Sequence, residues 1–205
     1  TIRSDKVAYG INTGFGELAN VQIEKSKTRQ LQENLILSHA SGVGEPLDEG
    51  IVRGVMLLRA NTLAKGYSGV RLKVIQTLVD MINKGVHPVI PCKGSVGASG
   101  DLAPLAHMSL VLIGEGKALY QGEEMTGKEA MRKANIDIIE LKAKEGLALL
   151  NGTQVMTAIG ALAVHDSELL LKSAMIASAM SLEALMGTDA VFDSRIHEAR
   201  PHPGQ

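Results

Sequence analysis

Residues 94–116 read GSVGASGDLAPLAHMSLVLIGEG, a stretch of glycine, serine and other small residues that runs straight into an apolar segment. The apolar part predicts a helix over about 101–114. Asp101 sits where an acid favours a helix start, and Pro104 is tolerated in a first turn. A helix apolar on nearly every side must be buried among others. The glycines at 94, 97 and 100 permit tight turns before it.

The composition points the same way. In 205 residues, 45% are apolar and 21% charged, as in a folded globular protein of one domain or one and a half. Aromatic residues make up only 2%, and there is no Trp. A core must therefore be built from Leu, Ile, Val, Ala and nine Met, which suits helix-on-helix packing and a mainly α fold. The net charge of −1 offers no electrostatic case for nucleic acid or an anionic membrane. The single cysteine, Cys92, excludes an internal disulfide framework and fits a reducing, cytoplasmic compartment. Neither end looks like a natural terminus, so the chain reads as part of a longer protein.

Other elements follow from spacing. Leu31, Leu35 and Ile36 mark a helix over about 24–40. Asp48 is placed to cap a helix whose stripe includes Ile51, Val52, Val55, Met56 and Leu63. Ser68 is placed to cap a third, with Val70, Val74, Ile75, Leu78 and Ile82 on one face and Gly85 at its end. The prolines in 86–94 exclude continuous helix. Residues 114–127 read as a hairpin-like excursion, and Thr126 with Glu129 form a capping-box pattern for a short helix. From about 147 to 187 the pattern predicts one long helix. Its uncharged run over 147–164 is long enough to span a bilayer, but Asn151, Thr153, Gln154 and Thr157 within it favour a buried bundle helix. Domain boundaries are expected at 1–146 and 147–205.

The loop at 94–100 admits several chemistries. No Lys-Ser or Lys-Thr pair follows, so it is not a P-loop, and Ser99 lacks the Gly-x-Ser-x-Gly frame of a nucleophile elbow. It is compatible with a simple turn. It is also compatible with backbone cyclisation, in which the nitrogen of Gly100 attacks the carbonyl carbon of Ala98. Loss of two waters, one carrying the Ser99 hydroxyl, leaves an electrophilic exocyclic methylidene. Glycine offers an unhindered nitrogen and alanine little bulk.

The string at 94–116 closely resembles the signature of the aromatic amino acid ammonia-lyases. YGINTGFG at 9–16, NLILSHASGVGEPL at 34–47 and LALLNGTQ at 147–154 agree with the same family in order and approximate spacing. The resemblance implies a fumarase/aspartase-like helical fold, with an N-terminal ring-bearing domain followed by the start of a central helical bundle. It implies 4-methylideneimidazole-5-one formed autocatalytically from Ala98, Ser99 and Gly100, with no metal required. It also implies an amino acid substrate and a homotetramer whose active sites are shared between subunits, so that this segment alone is inactive.

Ser38-His39 is similar to the pair in members acting on histidine, which implies conversion of L-histidine to trans-urocanate and ammonia. His39 then hydrogen-bonds the substrate imidazole; otherwise it is a helix-end histidine with a backbone partner. By the same resemblance Tyr9 is the base for the β-carbon proton, or else an exposed loop aromatic. Asn151 contacts the substrate amine or the ring, or else caps a helix. Asp101 supports cyclisation, or serves only as a helix-terminal acid. Two other functions stand open: a tyrosine or phenylalanine lyase or aminomutase with the same ring, and a non-catalytic helical domain.

Overall fold

The computed structural model describes residues 8–11, 13, 14, 21, 23–97 and 100–204. Two compact units divide the chain, Thr1–Gly160 and Ala161–Gln205.

In the first unit a 3₁₀ turn leads into α1 (Thr28–His39), followed by β1 (Val43–Pro46), α2 (Glu49–Ala64) and α3 (Leu72–Lys84). Helix α3 ends on Gly85 in the left-handed conformation, as its position predicts. Ser68 does not cap α3: the helix begins at Leu72, with Arg71 at the N-cap. The Gly69–Arg71 stretch delays the start, and Arg71 is held instead by Glu145 through 2.7 Å bonds from both Nε and Nη2.

The proline-rich segment forms β2 (Val86–Pro88) and β3 (Pro91–Lys93). Strand β3 pairs antiparallel with β1, joining residues 43–46 to the strand that leads into the 94–100 loop. Strand β2 pairs with β4 (Lys117–Tyr120), which forms an antiparallel hairpin with β5 (Glu123–Thr126). The short α5 (Gly127–Lys133) follows, its first turn capped by Thr126 Oγ1, which accepts from the Glu129 amide.

Helix α4 (Leu102–Leu112) is the centre of this unit. Residues 103–106 and 108–112 are buried, and α1, α5 and α6 (Glu145–Leu150) pack on it. Leu105, Met108 and Leu112 have no exposed surface and join Ile36, Met56, Leu78, Met81 and Leu149 in one core. Burial of each such side chain contributes about 1.5–3 kcal/mol.

The single helix expected over 147–187 is two helices. α6 stops at Leu150 and α7 (Gln154–Ala184) starts after Asn151-Gly152-Thr153. Asn151 is extended, with φ −93° and ψ 106°, so helical hydrogen bonding cannot pass through it. In the second unit α7 continues with Leu170, Met175 and Met180 exposed. A 3₁₀ turn (Ala190–Phe192) and α8 (Ser194–Ala199) follow, and Asp193 caps α8.

Candidate active site

The turn between α6 and α7 meets the C-terminal limb of the glycine-rich loop. Gly100 is buried with φ +111°, a conformation that L side chains rarely adopt. A Cβ there would lie 2.6 Å from the Gly152 carbonyl oxygen and 2.9 Å from its nitrogen. Two backbone segments therefore touch directly, and only glycine permits it. Ala98 and Ser99 lie outside the described residues.

Asp101 locks this contact. Its amide donates to Gly152 O at 2.5 Å. Its carboxylate is fully buried, and Oδ2 accepts from the amides of Val155 at 2.8 Å and Met156 at 3.0 Å. Oδ1 accepts from Ser95 Oγ. Asp101 stands at the N-cap of α4, but its side chain makes no cap bond to that helix. It caps α7, 54 residues on. Its carboxylate thus lies at the positive end of α7 as well as at the start of α4.

Arg59 supports the turn from the other side. It lies 2% exposed on the buried face of α2. Nη1 donates to Gln154 Oε1 at 2.8 Å, and Nη2 donates to the carbonyls of Asn151, at 2.9 Å, and Ala148. Gln154 passes the chain on by donating to Thr62 Oγ1 at 3.2 Å. None of these acceptors is a carboxylate, and burial pushes the guanidinium pKa down to about 10. A buried cation thus lies directly against Gly152, gathering the C-terminal carbonyls of α6.

Asn151 itself is the exposed C-cap of α6. His39 closes α1. Its Nδ1 lies 2.8 Å from Leu35 O, and a carbonyl only accepts, so Nδ1 carries the hydrogen and Nε2 of the neutral ring is an acceptor. Ser38 Oγ also donates to Leu35 O, at 3.0 Å. Ser38 and His39 line an open cavity of about 310 Å3 whose apolar walls include Val21, Ile23, Leu31 and Leu35. Tyr9 is exposed in a turn over residues 9–11.

The structure thus brings together Gly100, Asp101 and the turn bearing Asn151, while His39 lines a cavity of its own. It adds Ser95, Arg59 and Gln154. Arg59 had a sequence signal, since it falls on the stripe of Val52, Val55, Met56 and Leu63. Ser95 had none beyond its place in the loop.

Comparison with known proteins places this geometry. The family model described as aromatic amino acid lyase matches residues 1–205. The chain belongs to the aromatic amino acid lyase family. Among curated relatives, histidine ammonia-lyase of Alkaliphilus oremlandii is 63% identical over 204 residues, covering 100% of this chain and 40% of the relative. That of Koribacter versatilis is 58% identical with the same coverage. The chain therefore spans about 40% of the length of these relatives. Among solved lyase-family structures, histidine ammonia-lyase from Trypanosoma cruzi superposes with a TM-score of 0.90 at 41% identity, covering 97% of this chain and 39% of that one. Phenylalanine aminomutase from Pantoea agglomerans superposes with a TM-score of 0.91 at 40% identity, covering 98% and 38%. The fold is therefore common to members with different substrates.

Proposed function

We propose that the full-length protein eliminates ammonia from L-histidine to give trans-urocanate, working as a cytoplasmic homotetramer with shared active sites. The observation that carries the substrate is the 63% identity to a relative named for histidine. Solved structures do not separate the substrates, since histidine ammonia-lyase from Trypanosoma cruzi stands at 41% and phenylalanine aminomutase at 40%. The Nε2 acceptor of His39 supports histidine, because an imidazole N–H can donate to it and a phenyl ring cannot.

The fit of the prosthetic group is judged from Gly100. The residue has the left-handed backbone and the absence of side-chain space that a ring built on its nitrogen requires. Held by residues 98–100, 4-methylideneimidazole-5-one supplies an electrophile for the substrate amine. The chain's own residues prepare its surroundings. Asp101 fixes the end of the loop, the α7 N-terminus presents positive potential, and Arg59 adds a buried charge against Gly152. In this reading Asn151 orients the amine and Tyr9 Oη removes the β-carbon proton.

Two measurements on the full-length protein test the reading. Peptide-resolved intact mass should show a deficit of two waters within residues 98–100, and Ser99→Ala should abolish both the deficit and activity. Side-by-side assays should rank histidine above tyrosine and phenylalanine. A full sequence mass, or preference for tyrosine, refutes it. The 205-residue chain alone should not turn over histidine.

A further inference from the structure

The segment that must cyclise is tied at its base by a side chain outside the ring. Asp101 is the fixed end: its carboxylate holds two amides of α7, and its own amide holds Gly152. The third donor to that carboxylate is Ser95 Oγ, six residues back on the other limb. This bond spans Ala98-Ser99-Gly100. Gly97, with φ +69°, reverses the chain inside the tie, and Gly100 is pressed against Gly152. Gly94 seats the entering limb: a Cβ there would lie 3.1 Å from Ala103 Cβ and 3.2 Å from Gly42 Cα.

We propose that Ser95 is a positioning residue for ring formation. The proposal rests on the reading that residues 98–100 cyclise. In that step the Gly100 nitrogen bonds to the Ala98 carbonyl carbon, and its proton passes to the carbonyl oxygen. The resulting hydroxyl leaves as water with the Ser99 amide proton, forming the C=N bond. The Ser99 hydroxyl leaves as water with the α-proton, forming the exocyclic C=C bond. No oxidant is needed. The first bond requires the two limbs of the loop to stay together, and a hydroxyl tied to an immobile carboxylate does this. Asp101 already accepts three donors, so its part here is anchorage. Once the ring is closed its covalent bonds hold the geometry, and Ser95 is no longer required for turnover.

The test follows maturation in the full-length protein, reading the two-water deficit of the 98–100 peptide against time after synthesis, with kcat and KM on histidine. Ser95→Ala should slow appearance of the deficit about tenfold, the scale of one lost hydrogen bond to a charged group. Its kcat should fall in step with ring content while KM stays unchanged, and Ser95→Thr should restore both. If Ser95→Ala lowers the thermal midpoint, Ser95→Cys, a weaker donor of similar size, serves instead: slowing supports the proposal and a wild-type rate overturns it. A wild-type maturation rate in Ser95→Ala overturns it, as does activity lost with the ring complete. A wild-type protein with no deficit overturns the cyclisation reading as well; a deficit equal in wild type and Ser95→Ala overturns only the role of Ser95.

Discussion

Gly100 is where sterics and chemistry meet most closely. A Cβ would sit 2.6 Å from Gly152 O and 2.9 Å from Gly152 N, and both obstacles are backbone. Neither can swing aside as a flexible side chain would, and φ +111° is costly for any L residue. Gly100→Ala should therefore lose about 3 kcal/mol or more of stability and displace the amide nitrogen proposed to close the ring. The expected result in the full-length protein is a lower thermal midpoint together with loss of the two-water deficit. An alanine variant that keeps both would show that the contact with Gly152 is not needed.

At the scale of elements, the break between α6 and α7 matters most. Apolar residues on both sides of Asn151-Gly152-Thr153 support one uninterrupted helix by periodicity, and the turn propensity of Asn-Gly is the only local sign against it. The reason for the break is long-range: Gly152 must meet Gly100, and the freed amides of α7 are taken by Asp101. No local pattern carries a cap 54 residues distant. The same holds for Ser68, where a good cap residue is passed over because Arg71 is bound by Glu145. By contrast, Gly85, the Thr126 cap and the buried helix over 102–112 depend only on neighbours, and each is readable from its string. Arg59 lies between these cases, its burial readable from the α2 stripe and its partners not. Those partners predict its behaviour. Arg59→Met removes a costly buried charge but leaves the carbonyls of Ala148 and Asn151 and the side-chain oxygen Oε1 of Gln154 short of donors. Their loss outweighs the relief, and stability should fall by about 2–4 kcal/mol. Arg59→Lys should recover only part, since one ammonium cannot reproduce the fork. Chemical denaturation of the three proteins checks this; equal stability of the Met variant and wild type would mean the turn holds itself.

For the whole molecule, the buried titratable groups set an acid limit on stability. His87 is 5% exposed, and its Nε2 accepts from Arg53 Nη1 at 3.0 Å, while Nδ1 lies 3.4 Å from Glu49 Oε1. Burial lowers its pKa below 6.5; Glu49 opposes this and Arg53 adds to it. His107 Nε2 accepts the Gly42 amide at 3.1 Å, and burial lowers its pKa as well. Both rings are neutral acceptors in the folded chain, and protonation would remove the lone pair each uses. Since their folded pKa values lie below the unfolded value, their contribution is complete above pH 6.5 and is lost as pH falls through the folded values. Glu145 follows lower down. Burial pushes its pKa up, but the bonds from the Arg71 side chain and from the Lys142 and Arg71 amides outweigh that and hold it below 4.5. Its contribution is present above pH 4.5 and lost beneath. The thermal midpoint of the full-length protein should therefore be level above about pH 6.5, decline below it, and decline again below about pH 4.5. The first decline weakens the contact of Gly42 with α4, and hence the seat of Gly94, together with the bond from Arg53 to His87. His107→Gln keeps an acceptor for Gly42 without titrating, so with His87→Gln it should flatten the first decline and leave the second. A midpoint unchanged between pH 7.5 and 5.5, or a double variant with the wild-type decline, would assign the acid limit to other groups.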